Sequence, residues 1–211
     1  MSIITLATTK GGAGKTTLAR LILGRLAHEM RCAAIDTDFN RTLTDWVRTI
    51  AKLPVAMHHV LDPDEILPLA SKLHDSHDLI VIDTAGAAER AMAFAMGCAN
   101  LVMIPVQPSL ADFVEAVKTN NFVRILKSPM PARLILMAVQ ATTNLAEHIE
   151  TEIGKAELPL MTTRISRLVA FQEMSFNGIA PVTGTAGAQA TALLDELTAL
   201  GVLPIPQKLA S

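Results

Sequence analysis

The string Lys10-Gly11-Gly12-Ala13-Gly14-Lys15-Thr16-Thr17 follows almost directly on an apolar run, Ile3-Ile4-Thr5-Leu6-Ala7. A glycine-rich turn between a buried parallel strand and a helix lets successive backbone N–H groups converge on an oligophosphate. In that setting Lys15 reaches the β- and γ-phosphates, Thr16 offers its hydroxyl to Mg²⁺, and Gly11, Gly12, Ala13, Gly14 and Thr17 form the cradle. The usual string, G-x-x-x-x-G-K-[ST], has glycine where this chain has Thr9, and Lys10 stands beside that position. The loop is therefore a deviant form with a second lysine at its mouth. A lysine ammonium is a compact charge on a flexible stem, suited to neutralising charge that builds on transferring phosphoryl oxygens.

Such a loop needs acidic groups at the ends of neighbouring strands. Ala33-Ala34-Ile35-Asp36-Thr37-Asp38 ends one apolar run with two carboxylates, and Asp78-Leu79-Ile80-Val81-Ile82-Asp83 ends another before Thr84-Ala85-Gly86. Asp83 is placed to hold Mg²⁺ through water, Thr16 to ligate it directly, and one of Asp36 and Asp38 to position an attacking water. A dinucleotide site is the rival reading of Asp36. Against it, Gly12-Ala13-Gly14 runs into Lys15-Thr16-Thr17 and lacks the third glycine of G-x-G-x-x-G. His58 and His59 are adjacent on an expected strand and face opposite sides, a poor metal pair. Cys32 and Cys98 read as free thiols rather than cluster ligands.

The elements that must position these groups alternate along the chain. Strands are expected near 3–8, 32–36, 55–58, 78–83, 100–105 and 132–139, with helices near 15–29, 41–51, 62–75, 87–97, 110–127 and 144–155. This alternation predicts an α/β fold of the P-loop NTPase type, three layers with a mostly parallel sheet flanked by helices. Ser109-Leu110-Ala111-Asp112 reads as a capping box opening the long helix to about 127. Residues 178–187 read as a loop, before a last helix near 188–200.

At 211 residues, 50% hydrophobic and 18% charged, the chain suits one well-buried domain spanning 1–211. Only 3% is aromatic, with Trp46 the single tryptophan and no tyrosine, so the core is expected to be aliphatic. There is no basic leader ahead of the first strand and no apolar stretch of membrane-spanning length, so a cytoplasmic location without a membrane anchor is expected. The net charge of −2 does not advertise nucleic-acid binding, which would need a local patch.

The loop Lys10–Thr16 resembles that of the ParA/MinD ATPases. The wider strings Asp38-Phe39-Asn40-Arg41-Thr42-Leu43-Thr44-Asp45-Trp46 and Ile104-Pro105-Val106-Gln107-Pro108-Ser109 look most like small ParF-type partition proteins and the partition-like virulence ATPase of T-DNA transfer. The resemblance covers most of residues 1–128. It implies an Mg²⁺-dependent ATPase that forms a homodimer around ATP, with Lys10 acting across the dimer, Lys15 and Asp38 serving hydrolysis, and Asp36 near the magnesium. Family members commonly carry Pro-Gln after the second acid, whereas this chain has Phe39-Asn40. The resemblance further implies a ParB-like or other activating partner, non-specific binding to DNA, and association with the nucleoid. Candidate DNA contacts are Arg164, Arg167, Lys118, Arg124 and Lys127, all of which read equally as solvated charges. The absence of an N-K-x-D motif accords with adenine. The alternative function is a nucleotide-gated scaffold that recruits a DNA-transfer or other protein complex with little direct DNA role.

Overall fold

Strands buried on both faces appear as continuous apolar runs, and four such runs form the middle of the molecule. A computed structural model describes residues 1–86, 88–126, 132–141 and 143–204, to which the structural statements below refer. Its seven strands are β1 (Ser2–Leu6), β2 (Cys32–Asp36), β3 (Ala56–His59), β4 (Leu79–Asp83), β5 (Leu101–Val106), β6 (Ala132–Val139) and β7 (Leu160–Ser166). They form one sheet in the order β3-β2-β4-β1-β5-β6-β7, and every pairing is parallel.

Alternate residues of the strands feed opposite layers. Ile4, Leu6, Leu79 and Val81 face one layer, made by α1 (Lys15–Leu26), α2 (Thr42–Asp45), α7 (Val169–Asn177) and α8 (Gly184–Ala199). Ile3, Ile80, Ile82, Val102 and Ile104 face the other, made by α3 (Ile66–His74), α4 (Glu89–Gly97), α5 (Leu110–Ile125) and α6 (Leu145–Lys155). Helix α2 runs on into a π-helical turn, Trp46–Ile50. The core is aliphatic and methionine-rich apart from Trp46, which is fully buried, and Phe171.

Three features differ from the sequence reading. Strand β7 and helix α7 were not expected, because the half-exposed strand Leu160–Ser166 carries Thr162, Thr163 and Arg164 among its apolar residues. Helix α8 starts at Gly184, so residues 184–187 are helical rather than loop. Its first turns are Gly, Thr and Ala, which leave no periodic stripe of large apolar residues. The outer edge of β7 is closed by side chains of α8. The N–H groups of Thr162 and Thr163 donate to the Glu196 carboxylate at 2.7 and 2.9 Å, and that of Ser166 donates to Gln189 at 3.0 Å. An exposed strand edge would otherwise invite pairing with another chain.

Cys32 and Cys98 are free, and burial pushes their thiols up to about 12 and about 11. Among the described residues no helix is long and apolar enough to cross a membrane. Lys127 and the final stretch 205–211 lie outside the described residues.

Candidate functional site

The chain leaves β1 towards β2 on one side of the sheet and leaves its neighbour β5 towards β6 on the other, so a crevice opens at the carboxyl ends of these two strands. Residues 9–14 fill the mouth of this crevice and α1 starts at Lys15, its N-terminus aimed at the loop. Gly14 has φ 114°, so the backbone angle demands glycine, and a Cβ there would press on the flexible end of Met137 on β6, whose Cε lies 2.9 Å away. Lys15 is buried, and its Nζ donates to the carbonyls of Thr8 at 3.1 Å and Lys10 at 3.0 Å. Burial lowers its pKa, while the charges of Asp83 and Asp38 act in the opposite direction. The ammonium thus spans the loop that the sequence assigns to phosphate.

Asp36 and Asp83 are register partners on β2 and β4, so both acids end adjacent strands on the same face. Thr16 Oγ1 donates to Asp83 Oδ2 at 2.7 Å. Asp83 Oδ1 is buried and has no hydrogen-bond partner among the described residues. Burial pushes this carboxyl up to about 7, opposed by the Thr16 bond and reinforced by the charge of Asp36. An orphaned buried oxygen beside a threonine hydroxyl is a hard-oxygen donor set, which suits Mg²⁺.

Asp36 and Asp38 take different tasks. Asp36 is fully buried, with Oδ1 accepting from the Asp38 N–H at 3.0 Å and Oδ2 accepting from the Thr44 N–H and hydroxyl, both at 2.9 Å. It therefore fastens the loop between β2 and α2. Asp38 is half-buried on that loop; its Oδ1 accepts from the Asn40 N–H at 2.9 Å, and His59 Nε2 lies 2.9 Å from its carbonyl. The neighbouring Phe39 is 79% exposed.

At the mouth of the loop, Lys10 Nζ is ion-paired with Asp112 in the first turn of α5, and Thr9 Oγ1 bonds Glu115 one turn on. Half of the capping box expected from the sequence is present: Ser109 Oγ accepts from the Asp112 N–H at 3.1 Å, while the Ser109 N–H donates to the Gln107 carbonyl instead of to Asp112. Asp112 is nearly buried and also accepts from the Ser109 hydroxyl, so it is held ready for the lysine. Gln107 Nε2 adds a bond to the Gly12 carbonyl at 2.8 Å. The start of α5 at Ser109 is legible from its local string, but nothing in the sequence announces a partner for Lys10 so far along the chain.

A cleft of about 710 Å³ extends from Gly12–Gly14 and Thr17 towards the ends of β6 and β7, bounded by Gln140, Ser166, Arg167, Phe171 and Gln172. Arg167, considered as a DNA contact, lines this cleft. Arg164 is bonded to Glu150 at 2.7 Å, Lys118 to Glu115 at 2.7 Å, and Arg124 is exposed in the last turn of α5. Arg20, Gln107, Asp112 and Trp46 were absent from the sequence-derived site. All four act through partners distant in the chain.

A parallel sheet with a phosphate loop after its central strand, acids ending the adjacent strands and a cleft beside the loop defines a nucleotide-binding protein of the P-loop class. Residues 4–182 match the family described as the CobQ/CobB/MinD/ParA nucleotide binding domain, and the chain belongs to it. It is 26% identical over 204 residues to maintenance of carboxysome distribution protein A of Halothiobacillus neapolitanus, covering 92% of both chains. It is 35% identical over 115 residues to protein ParA of Rhizobium radiobacter, covering 53% of this chain and 51% of that one. Among solved structures, a putative plasmid partition protein of Borrelia burgdorferi bound to AMPPNP superposes with a TM-score of 0.75 at 19% identity, covering 94% of this chain and 98% of that one. The expected parallel P-loop fold is thus present, as is the ParA/MinD kinship.

Proposed function

We propose that the chain is a ParA-type positioning ATPase: it binds ATP with Mg²⁺, pairs with a second copy around two nucleotides, and is reset by slow hydrolysis. The observation that carries this reading is the convergence of the deviant loop with the orphaned Asp83 oxygen beside the Thr16 hydroxyl. Gly11 to Thr17 cradle the phosphates, and Thr16 and Asp83 hold the metal, with Asp36 beside them keeping the Asp38 loop in place. Held there, Mg²⁺ would supply positive charge to offset that of the phosphate oxygens. Lys15 leaves its carbonyl partners for phosphate oxygens, Asp38 orients water, and Lys10 leaves Asp112 to reach the partner copy's nucleotide. Turnover is slow alone and quickened by a protein that orders the Asp38 loop. The base and sugar occupy the cleft bounded by Arg167 and Phe171.

One relative is named for maintenance of carboxysome distribution and one structural neighbour as a putative plasmid partition protein, which favours a large cargo. The scaffold reading draws on a specific observation: Arg164 and Lys118 are already neutralised by Glu150 and Glu115. The test is ATP turnover of the wild type and of Asp38→Ala, together with low-salt binding to plasmid DNA. Turnover lost in Asp38→Ala, with ATP-dependent DNA binding retained, is the expected result. Turnover unchanged in Asp38→Ala would refute the assignment of that residue, and no DNA binding in any nucleotide state would hand the function to the scaffold reading.

A further inference from the structure

The two ends of the cleft are joined by residues outside the phosphate loop and its acids. Trp46 begins the π-helical turn that continues α2, a distortion that recurs at functional sites. Its indole N–H donates to the Met174 carbonyl near the end of α7 at 2.8 Å, crossing between two elements distant in sequence. The preceding turns of α7 carry Phe171 and Gln172, and Ser175 and Phe176 follow, all lining the cleft. On the other side, the same α2 segment is tied to the strand acids, because the Thr44 N–H and hydroxyl both bind Asp36, which also holds the Asp38 N–H.

Arg20 closes the circuit from α1. It borders the cleft, donates from Nη2 to the Thr42 carbonyl at 3.2 Å, and lies with its guanidinium carbon 5.6 Å from the Trp46 ring centroid. Its Nε is buried and has no partner among the described residues. A guanidinium stacked on an aromatic face and spending only part of its fork is poised to take another acceptor. The far end of the arrangement is stiff. Gly178, just after α7, has φ 74°, and a Cβ there would stand 2.6 Å from Ala51 Cα at the end of the π-helical turn. Two elements in backbone contact at one end and hydrogen-bonded through an indole near it move together rather than separately.

We propose that Trp46 and Arg20 are positioning residues that transmit occupancy of the far, α7-lined end of the cleft to the loop carrying Asp38. An occupant drawing on α7 shifts the Met174 carbonyl, hence Trp46, hence α2 and the Asp36-held loop. A ligand that fills only the phosphate cradle leaves α7 untouched. The pair thus makes hydrolysis answer to a complete nucleotide rather than to its phosphates. This rests on the reading of the cleft as a nucleotide site.

Trp46 is the sole tryptophan and the chain has no tyrosine, so intrinsic emission reports this residue alone. Wild-type protein with Mg²⁺ is titrated with ADP and, separately, with pyrophosphate, with binding followed by calorimetry and Trp46 emission recorded at saturation. The expected result is an emission change with ADP at least twice that with pyrophosphate. An equal change would overturn the coupling and leave the nucleotide site standing. No calorimetric binding of ADP would overturn the nucleotide reading and the coupling with it. Trp46→Phe keeps most of the packing and removes the indole N–H. Its kcat for ATP is expected to fall about tenfold with KM within about twofold, a split that loss of a mere packing residue does not give. Unchanged kcat in Trp46→Phe would overturn the proposal even where pyrophosphate shows no heat.

Discussion

Replacing Gly178 with alanine tests the junction between α7 and the Asp38 segment, and an internal control separates its two costs. Gly178 and Gly201 both follow the ends of helices in left-handed conformation, with φ 74° and 72°. Around Gly201 an added Cβ meets nothing within 4 Å among the described residues, whereas at Gly178 it would lie 2.6 Å from Ala51 Cα, 2.9 Å from Ala51 N and 3.0 Å from the Ile50 carbonyl carbon. Left-handed backbone costs alanine about 1–2 kcal/mol, of which about 0.4–1 kcal/mol is returned by a stiffer unfolded chain. Gly201→Ala should therefore lose about 1 kcal/mol. At Gly178 the obstructing atoms are backbone, so overpacking adds about 1–3 kcal/mol and brings the loss to about 2–4 kcal/mol. With a urea slope of about 2 kcal/mol per molar, the midpoint falls by about 1–2 M for Gly178→Ala and by about 0.5 M for Gly201→Ala. Equilibrium urea unfolding followed by far-ultraviolet circular dichroism reads both. Equal shifts in the two variants would refute the close docking of α7 on the end of the π-helical turn.

Asp112→Asn keeps the shape of the cap on α5 and removes the charge that holds Lys10; the concentration of a non-hydrolysable ATP analogue that half-saturates self-association should drop several-fold. An unchanged midpoint would mean that the Lys10–Asp112 pair is no restraint. Acid stability offers a further check at the Arg31–Asp78 pair, where the hydrogen bond from Arg31 holds the Asp78 carboxyl at about 2, below its ordinary 3.8. A depressed carboxyl contributes stability that is complete above the ordinary value and is lost as pH falls through the folded-state value. The wild type should therefore lose melting temperature between pH 4 and pH 2 more steeply than Asp78→Asn. Parallel slopes in the two proteins would contradict the pairing.

What the sequence made legible is what local strings encode. The phosphate loop, Asp36, Asp38 and Asp83 each stand at the end of an apolar run, so strand, turn and acid can be read together over a few residues. The Ser109 cap on α5 was visible for the same reason. The pairing of Lys10 with Asp112 and of Trp46 with Met174 depends on chain segments brought together only by the strand order, which no spacing announces. Arg167 looked like one member of a basic cluster because β7, which carries the chain into the cleft, hides its alternation behind Thr162, Thr163 and Arg164. The start of α8 was missed because small residues pack closely against the sheet without producing a large apolar stripe.

The central claim is that nucleotide sets the association state of this chain through the deviant loop. Size-exclusion chromatography with light scattering, on protein with Mg²⁺ and either ADP or a non-hydrolysable ATP analogue, tests it directly. With ADP the 22.6 kDa chain should elute as a monomer, and with the analogue at twice that mass, with Lys10→Ala monomeric in both. A monomer in every state, or a dimer indifferent to nucleotide and to Lys10, would contradict the account.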